Sequence, residues 1–419
     1  MRPEPVANAM AWDSQSPIQP MPPSAGPTSE QRDTKTRLAA AVEAARDEIL
    51  DLSHRIHANP EPAFEEHQAA RWVADAIGRH GYEVEFPAGR LATAIRGRLA
   101  GGRATDGPRV GILAEYDALP GLGHGCGHNT MAASGVGAAI ALASIASELS
   151  GEIVFLGTPA EERGSGKQFM LDDGLFEGLD AALLFHPSDI DSSVCGLLAS
   201  VDVEVTFSGL QAHAASDPWM GKNALDALIL LFTSVGMWRQ QLRPTARVHG
   251  IVTEGGTAAN IIPDRTAARF MVRSDDQADF ERMKQRFEQL AQAAALAADC
   301  TVSVELSGGS STMRDNSVLR DRFRANMAAH GIADTAFDYS RMGSSDMGNV
   351  SHALPTIHPQ LAICDEGVRA HSTLFRDAAA TSRADEATLL AATLIAETAY
   401  ELFTEPQLVD AAWREFRGR

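Results

Sequence analysis

Three strand-length apolar runs constrain this chain most: "RVGILAEYDALP" from Arg109, "EIVFLGTPAEE" from Glu152 and "DAALLFHPS" from Asp180, separated by helical stretches. A short buried run between helices is what a mainly parallel sheet covered on both faces requires. Each run ends in ionisable residues: Asp117, the pair Glu161 and Glu162, and His186. Open α/β sheets place their ligands at the carboxyl ends of strands, so the chemistry is expected there.

The flanking pattern fills in the architecture. Leu38, Val42, Ala45, Ile49, Leu52 and Ile56 recur at helical spacing, and a second helix is expected from about Phe64 to His80, before the Gly81 stop. Tyr82, Val84 and Phe86 alternate as a strand. From Ala199 the pattern changes to Val201, Val203, Val205 and Phe207, the alternation of a strand with one wet face. Helices near 222–241 and 276–298 and strands near 247–253 and 265–273 follow, giving roughly β-α-β-β-α-β. A long final helix is expected from Asp385. The reading is an α/β catalytic domain, 36–198 and 312–419, interrupted by an inserted α+β lid or dimerisation domain, 199–311. Residues 1–35 hold seven of the 20 prolines and read as a disordered tail without a secretory signal core.

Composition narrows the partners. With 419 residues and 44% hydrophobic content the chain can bury a large core, and a net charge of −19 opposes binding to nucleic acid or anionic membrane. No apolar stretch reaches the roughly 18 residues that span a bilayer. Four scattered cysteines, Cys126, Cys195, Cys300 and Cys364, suggest a reducing compartment and a cytoplasmic location.

In "GLGHGCGHNT" a thiol stands between imidazoles: Cys126 and His128 are two apart, a spacing that suits a borderline metal such as zinc. A buried structural cysteine, or a cysteine nucleophile with a histidine base, fits the same stretch. Glu161 and Glu162 sit where the backbone turns after a strand, so one carboxylate can face a metal and the other a water. His186 ends the next strand, and His371 lies far downstream in "VRAHSTLF".

Taken in order, "AEYDALPGLGHGCGHN", "PAEE", "FHP", "SGLQAHAA", "EGGTAANIIPD", "SSDMGNVSHALPTIHP" and "AHS" resemble the amidohydrolase branch of the M20 metallopeptidases, from about residue 38 to the end. The branch contains p-aminobenzoyl-glutamate hydrolases, auxin-conjugate hydrolases and related dipeptidases. The resemblance implies two divalent metal ions per subunit, of zinc, manganese, nickel or cobalt, sharing a water. Cys126 would bridge them, with His128 and Glu162 on one side and His186 and His371 on the other, and Glu161 as general base. Where other branches carry a His-x-Asp metal motif this chain has Glu115-Tyr116-Asp117, which gives Asp117 the task of orienting a ligand and leaves Glu115 outside the ligand set. His213 matches the family position that reaches a partner subunit's site, so a homodimer through the inserted domain is expected. Asn260, and with it Arg273, would hold a substrate carboxylate. The substrate implied is a small amide: an N-acyl amino acid, an aminobenzoyl-glutamate-like conjugate or a dipeptide. An aromatic-amine aminohydrolase and a non-catalytic metal-binding subunit remain alternatives.

Overall fold

The computed structural model describes residues 28–418, so the part of the expected tail up to residue 27 lies outside the described residues. The remainder of that stretch is not tail: helix α1, Ser29–Ala44, begins there. Thr28 and Gln31 form a reciprocal capping box, Thr28 N to Gln31 Oε1 at 2.9 Å and Gln31 N to Thr28 Oγ1 at 3.2 Å. Contacts divide the chain after Arg37, and the larger unit, Leu38–Arg419, holds the sheets.

The apolar stripe from Leu38 runs into a second helix, α2 (Arg46–Ala58), after a single intervening residue, and α3 (His67–Arg79) follows. Strands β1 (Glu83–Glu85), β2 (Ile95–Ala100) and β3 (Ala104–Glu115) lead to helix α4 (His128–Ser144), strand β4 (Ser150–Thr158), helix α5 (Gly166–Asp172) and strands β5 (Ala181–Leu183) and β6 (His186–Ser188). The run from Asp180 therefore makes two short strands rather than one. β5 pairs with β3 and with β11 (Thr356–Ile357), whereas β6 leaves that sheet to pair in parallel with β12 (Gln360–Ala362). The six-stranded order is β1-β2-β4-β3-β5-β11. β4, β3, β5 and β11 run parallel, and β2 alone is reversed, pairing antiparallel with both β1 and β4. The mainly parallel expectation holds.

Val110, Ile112 and Leu113 of β3 and Ile153, Val154, Phe155 and Leu156 of β4 are buried, each worth about 1.5–3 kcal/mol against exposure. α4 is buried along its length because its face is built of glycine and alanine. At Gly135 a Cβ would lie 2.6 Å from the Leu113 carbonyl oxygen, so only glycine lets this helix lie so close to β3.

Strand β7 (Ala199–Ser208), helix α6 (Ala224–Trp238), strands β8 (Arg247–Glu254) and β9 (Arg265–Ser274), helix α7 (Gln277–Ala297) and strand β10 (Thr301–Ser310) build a four-stranded antiparallel sheet, order β10-β7-β9-β8. Its inward residues Val203, Val205, Phe207 and Phe270 pack with Phe287 of α7 in a hydrophobic core separate from the first. Helices α8 (Ser317–Ala329), α9 (Met347–Ala353), α10 (Thr373–Ala378), α11 (Ser382–Thr404) and α12 (Pro406–Arg417) return to the first core. The single final helix expected from Asp385 divides at Glu405, because Pro406 disfavours helical backbone in the residue before it and opens α12 at its first position.

Candidate metal centre

β3 ends at Glu115, and Asp117 lies two residues beyond, buried with Tyr116. The chain then loops to Gly127, whose φ of +78° and approach to Pro187 (2.7 Å from a hypothetical Cβ) require glycine. This turn lets Cys126 and His128, the first residue of α4, face the same space. Glu161 and Glu162 follow β4, His186 opens β6, and His371 enters before α10 from a left-handed backbone (φ +62°). Its N–H donates to the Gly125 carbonyl at 2.8 Å, which ties this strained residue to the Cys126 loop.

These side chains meet. Cys126, His128 and His186 bring one ligand atom each within 4.8 Å of one another, as do Cys126, Glu162 and His371, and as do Glu115, His128 and Glu161. Cys126 is common to the first two groups. The pairing differs from the expectation: Glu162 stands with His371, 3.4 Å from oxygen to Nε2, and His186 stands with Cys126, 3.5 Å from Nε2 to Sγ. Such spacings are those of ligand atoms around one metal ion, each roughly 2.0–2.3 Å from it.

The imidazoles are oriented by backbone. His128 Nδ1 donates to the Asp117 carbonyl and to its Oδ1, both at 3.0 Å, and His186 Nδ1 donates to the Pro187 carbonyl at 2.6 Å. His358 Nδ1 donates to the Leu184 carbonyl at 2.9 Å, and its ring stacks edge-on against His186 at 5.3 Å. In all three, Nε2 is left facing inward. His128 Nε2, His358 Nε2 and Glu162 Oε1 are buried without a hydrogen-bond partner. Orphaned lone pairs beside a thiol fit a divalent cation.

Charge says the same. Five carboxyls, Glu115, Asp117, Glu161, Glu162 and Asp346, gather where the buried cations are Lys167, whose Nζ lies 2.5 Å from Glu115 Oε1 and 2.7 Å from Asp346 Oδ1, and His128, which Asp117 holds towards its charged form. Burial, then the charges of Glu115 and Glu162, push the Glu161 carboxyl far above the ordinary range, and burial with Asp117 and Glu115 pushes Glu162 up to about 7. Carboxyls that reach for protons are short of cations. Burial and the neighbouring Glu162 also raise the Cys126 thiol, while burial and the nearby His358 and His128 pull His186 down to about 3. His186 is thus in the neutral form that donates to a metal, and the Cys126 thiol becomes a ligand on losing its proton.

His213 and Asn260 lie in loops beside the four-stranded sheet, and Arg273 lies in its strand β9. His213 is exposed beyond the end of β7, and its Nδ1 accepts from the N–H groups of Ala215 and Ser216, both at 3.2 Å, which leaves Nε2–H as an outward donor. Ala214 N donates to the Asn260 carbonyl at 3.0 Å, so the two loops share one rim. Arg273 does not join them: the turn that carries Asn260 leads into Arg265, and Arg273 lies eight residues further along β9, roughly 27 Å away. The antiparallel sheet separates residues that the linear sequence leaves free to meet.

A sheet that gathers sulfur, imidazole and carboxylate donors at its strand ends defines a metallohydrolase. The model of Peptidase family M20/M25/M40 matches residues 111–384, and the chain belongs to that family, acting as a hydrolase of amide bonds. It is 36% identical to the Xaa-Arg dipeptidase of Mus musculus over 95% of each chain. It is 30% identical to one of the subunits of the p-aminobenzoyl-glutamate hydrolase of Escherichia coli, over 70% of this chain and 65% of that one. Among solved structures it resembles the YXEP protein of Bacillus subtilis, described as a dinuclear metal binding peptidase from the M20 family, with a TM-score of 0.67 at 19% identity over 86% and 99% of the two chains.

Proposed function

We propose that this chain is a two-metal dipeptidase or N-acyl amino acid amidohydrolase whose cations are held by Cys126, His128, Glu162, His186 and His371. The observation that carries the reading is the pair of donor triads that share Cys126. The cations, when bound, polarise the amide carbonyl and acidify a water. Glu161 takes a proton from that water and returns it to the leaving amine, a role suited to a carboxyl whose surroundings favour the protonated form. Asp117 holds His128 and, through Oδ2 to Glu162 N at 2.9 Å, also the backbone of a second ligand.

A substrate with a cationic C-terminal residue is favoured by the full-length likeness to an Xaa-Arg dipeptidase and by the net charge of −19, which draws cations towards the molecule. Aminobenzoyl-glutamate-like conjugates are the next candidates. Asn260 binds the substrate carboxylate, and Arg273, at the other end of the sheet, is not given that role. His213 donates Nε2–H to the developing oxyanion of a partner subunit's site. In support of a homodimer, α6 exposes Ile229, Leu230 and Met237, and the outer edge of β8 exposes Ile251 and Val252. The inserted lid domain of this proposal runs from 199 to 311, within a catalytic domain of 36–198 and 312–419. The four cysteines are free, as a reducing, cytoplasmic setting allows, and no helix among the described residues is long and apolar enough to cross a membrane.

The test is hydrolysis by protein reconstituted with zinc, manganese, nickel or cobalt, across Xaa-Arg, Xaa-Lys and Xaa-Glu dipeptides, N-acetyl amino acids and p-aminobenzoyl-glutamate. Chelator-sensitive turnover highest on the basic dipeptides supports the reading. Metal uptake without turnover on any amide would make the chain a non-catalytic subunit.

A further inference from the structure

His128 and Glu115 approach each other in a way that hydrogen bonding does not explain. Their side chains are 1% exposed, and Nε2 and Oε2 are 3.3 Å apart, yet His128 Nε2 has no hydrogen-bond partner. The separation is right and the direction is wrong for an N–H···O bond, which is how two donors aimed at a common third point are arranged. A separation of about 3.3 Å is also that of a nitrogen and an oxygen ligand of one tetrahedral metal ion. His128 Nδ1 is committed to Asp117, so Nε2 is the nitrogen that faces a cation, and any anion this close to it lies at the same cation.

The other oxygen of Glu115 is fixed. Lys167 Nζ holds Oε1 at 2.5 Å and is itself held by Asp346 Oδ1 at 2.7 Å, while Lys167 N donates to Asp346 Oδ2 at 2.9 Å. Glu115 and Asp346, each 1% exposed, thus share one ammonium through Oε1 and Oδ1, and Oε2 of Glu115 takes no part in that contact. Lys167 thus leaves Oε2 as the free end of an anchored, charged carboxylate pointed at His128.

We propose that Glu115 is a further metal ligand, completing the shell of the cation held by His128, with Lys167 and Asp346 as its positioning residues. The proposal rests on the metal centre above, and metal binding itself provides a test that separates the two. Glu115→Gln keeps the shape and can still accept from Lys167, but it presents a neutral amide to the cation. The experiment is competition of wild type, Glu115→Gln and Glu161→Gln against a chromophoric chelator for Co2+, with the visible spectrum of the bound cobalt recorded at each step. The expected result is two tight equivalents in wild type and in Glu161→Gln. In Glu115→Gln one equivalent should be weakened about 10–100-fold or more and one set of cobalt bands altered. Two unchanged equivalents and an unchanged spectrum in Glu115→Gln would overturn the proposal and leave the metal centre standing. No metal in wild type would overturn both. If the glutamine variant does not fold, Glu115→Asp, which keeps the charge and withdraws the oxygen by one methylene, gives the same decision.

Discussion

Asp117 joins two of the proposed ligands, His128 and Glu162, and replacing it with asparagine breaks that link in a calculable way. The carboxylate accepts twice, from His128 Nδ1 at 3.0 Å and from Glu162 N at 2.9 Å, and its side chain is fully buried. An asparagine of the same shape has one acceptor and one donor, so whichever way the amide turns, one N–H of the pair meets another donor. The Asp117 carbonyl also receives His128 Nδ1, so His128 keeps its tautomer and the loss falls on one of the two side-chain bonds. A buried N–H left without an acceptor costs about 1–3 kcal/mol, and loss of a group that orients a metal ligand lowers affinity roughly 10–100-fold. These magnitudes agree, since a factor of ten is about 1.4 kcal/mol. Metal-free Asp117→Asn should therefore fold, bind metal 10–100-fold more weakly in a chelator competition, and regain part of its turnover in excess metal. A titration that superimposes on wild type would refute the reasoning.

Glu161→Gln should keep both metals and lose about 10²–10⁴ in kcat, read by steady-state kinetics alongside metal analysis; normal turnover would remove Glu161 from the proton transfer. Glu66 supplies a pH test. It is fully buried, and burial followed by the charge of Asp117 pushes its carboxyl from an ordinary 4.5 up to about 7, although it accepts from Phe64 N, Ala160 N and Thr93 Oγ1. The native state then holds a proton that the unfolded chain releases. The corresponding stability is fully present below about pH 4.5 and is lost as pH rises to about 7, a change on the order of 3 kcal/mol. Denaturant melts of metal-free Glu66→Gln should be flatter than wild type across this window, and parallel curves would contradict the assignment. His213→Ala should lose about 10²–10³ in kcat. Mixed with Glu161→Gln by co-expression, it should recover about a quarter of wild-type turnover, because half of randomly paired dimers carry one intact site. No recovery would place His213 outside the partner's site.

The proposed ligand residues were legible because each sits just past a strand end or inside a motif whose spacing carries chemistry: Cys126 with His128, and Glu161 with Glu162. The buried counter-charge was not. A lysine in "GSGKQFM" reads as a solvated helix face, and only folding brings Glu115 from 52 positions away and Asp346 from 179 to enclose it. The same limit hid the pairing of Glu162 with His371, which depends on a left-handed residue and a backbone bond to Gly125. The split of the Asp180 run had no local signal either: Leu184 N and His186 N bond to the carbonyls of Ile357 and Pro359, and these distant partners divide the run. The start of α1 could have been found, since Thr28 and Gln31 have capping-box spacing; the prolines before them obscured it.

The central claim is that side chains scattered from Cys126 to His371 hold two cations around a shared sulfur. Anomalous diffraction from metal-loaded crystals, recorded on either side of the metal absorption edge, measures this directly. The account predicts two peaks per chain, one within bonding distance of His128 and the other of His371, both touching Cys126 Sγ. Peaks elsewhere, or a thiol that touches neither ion, would contradict it.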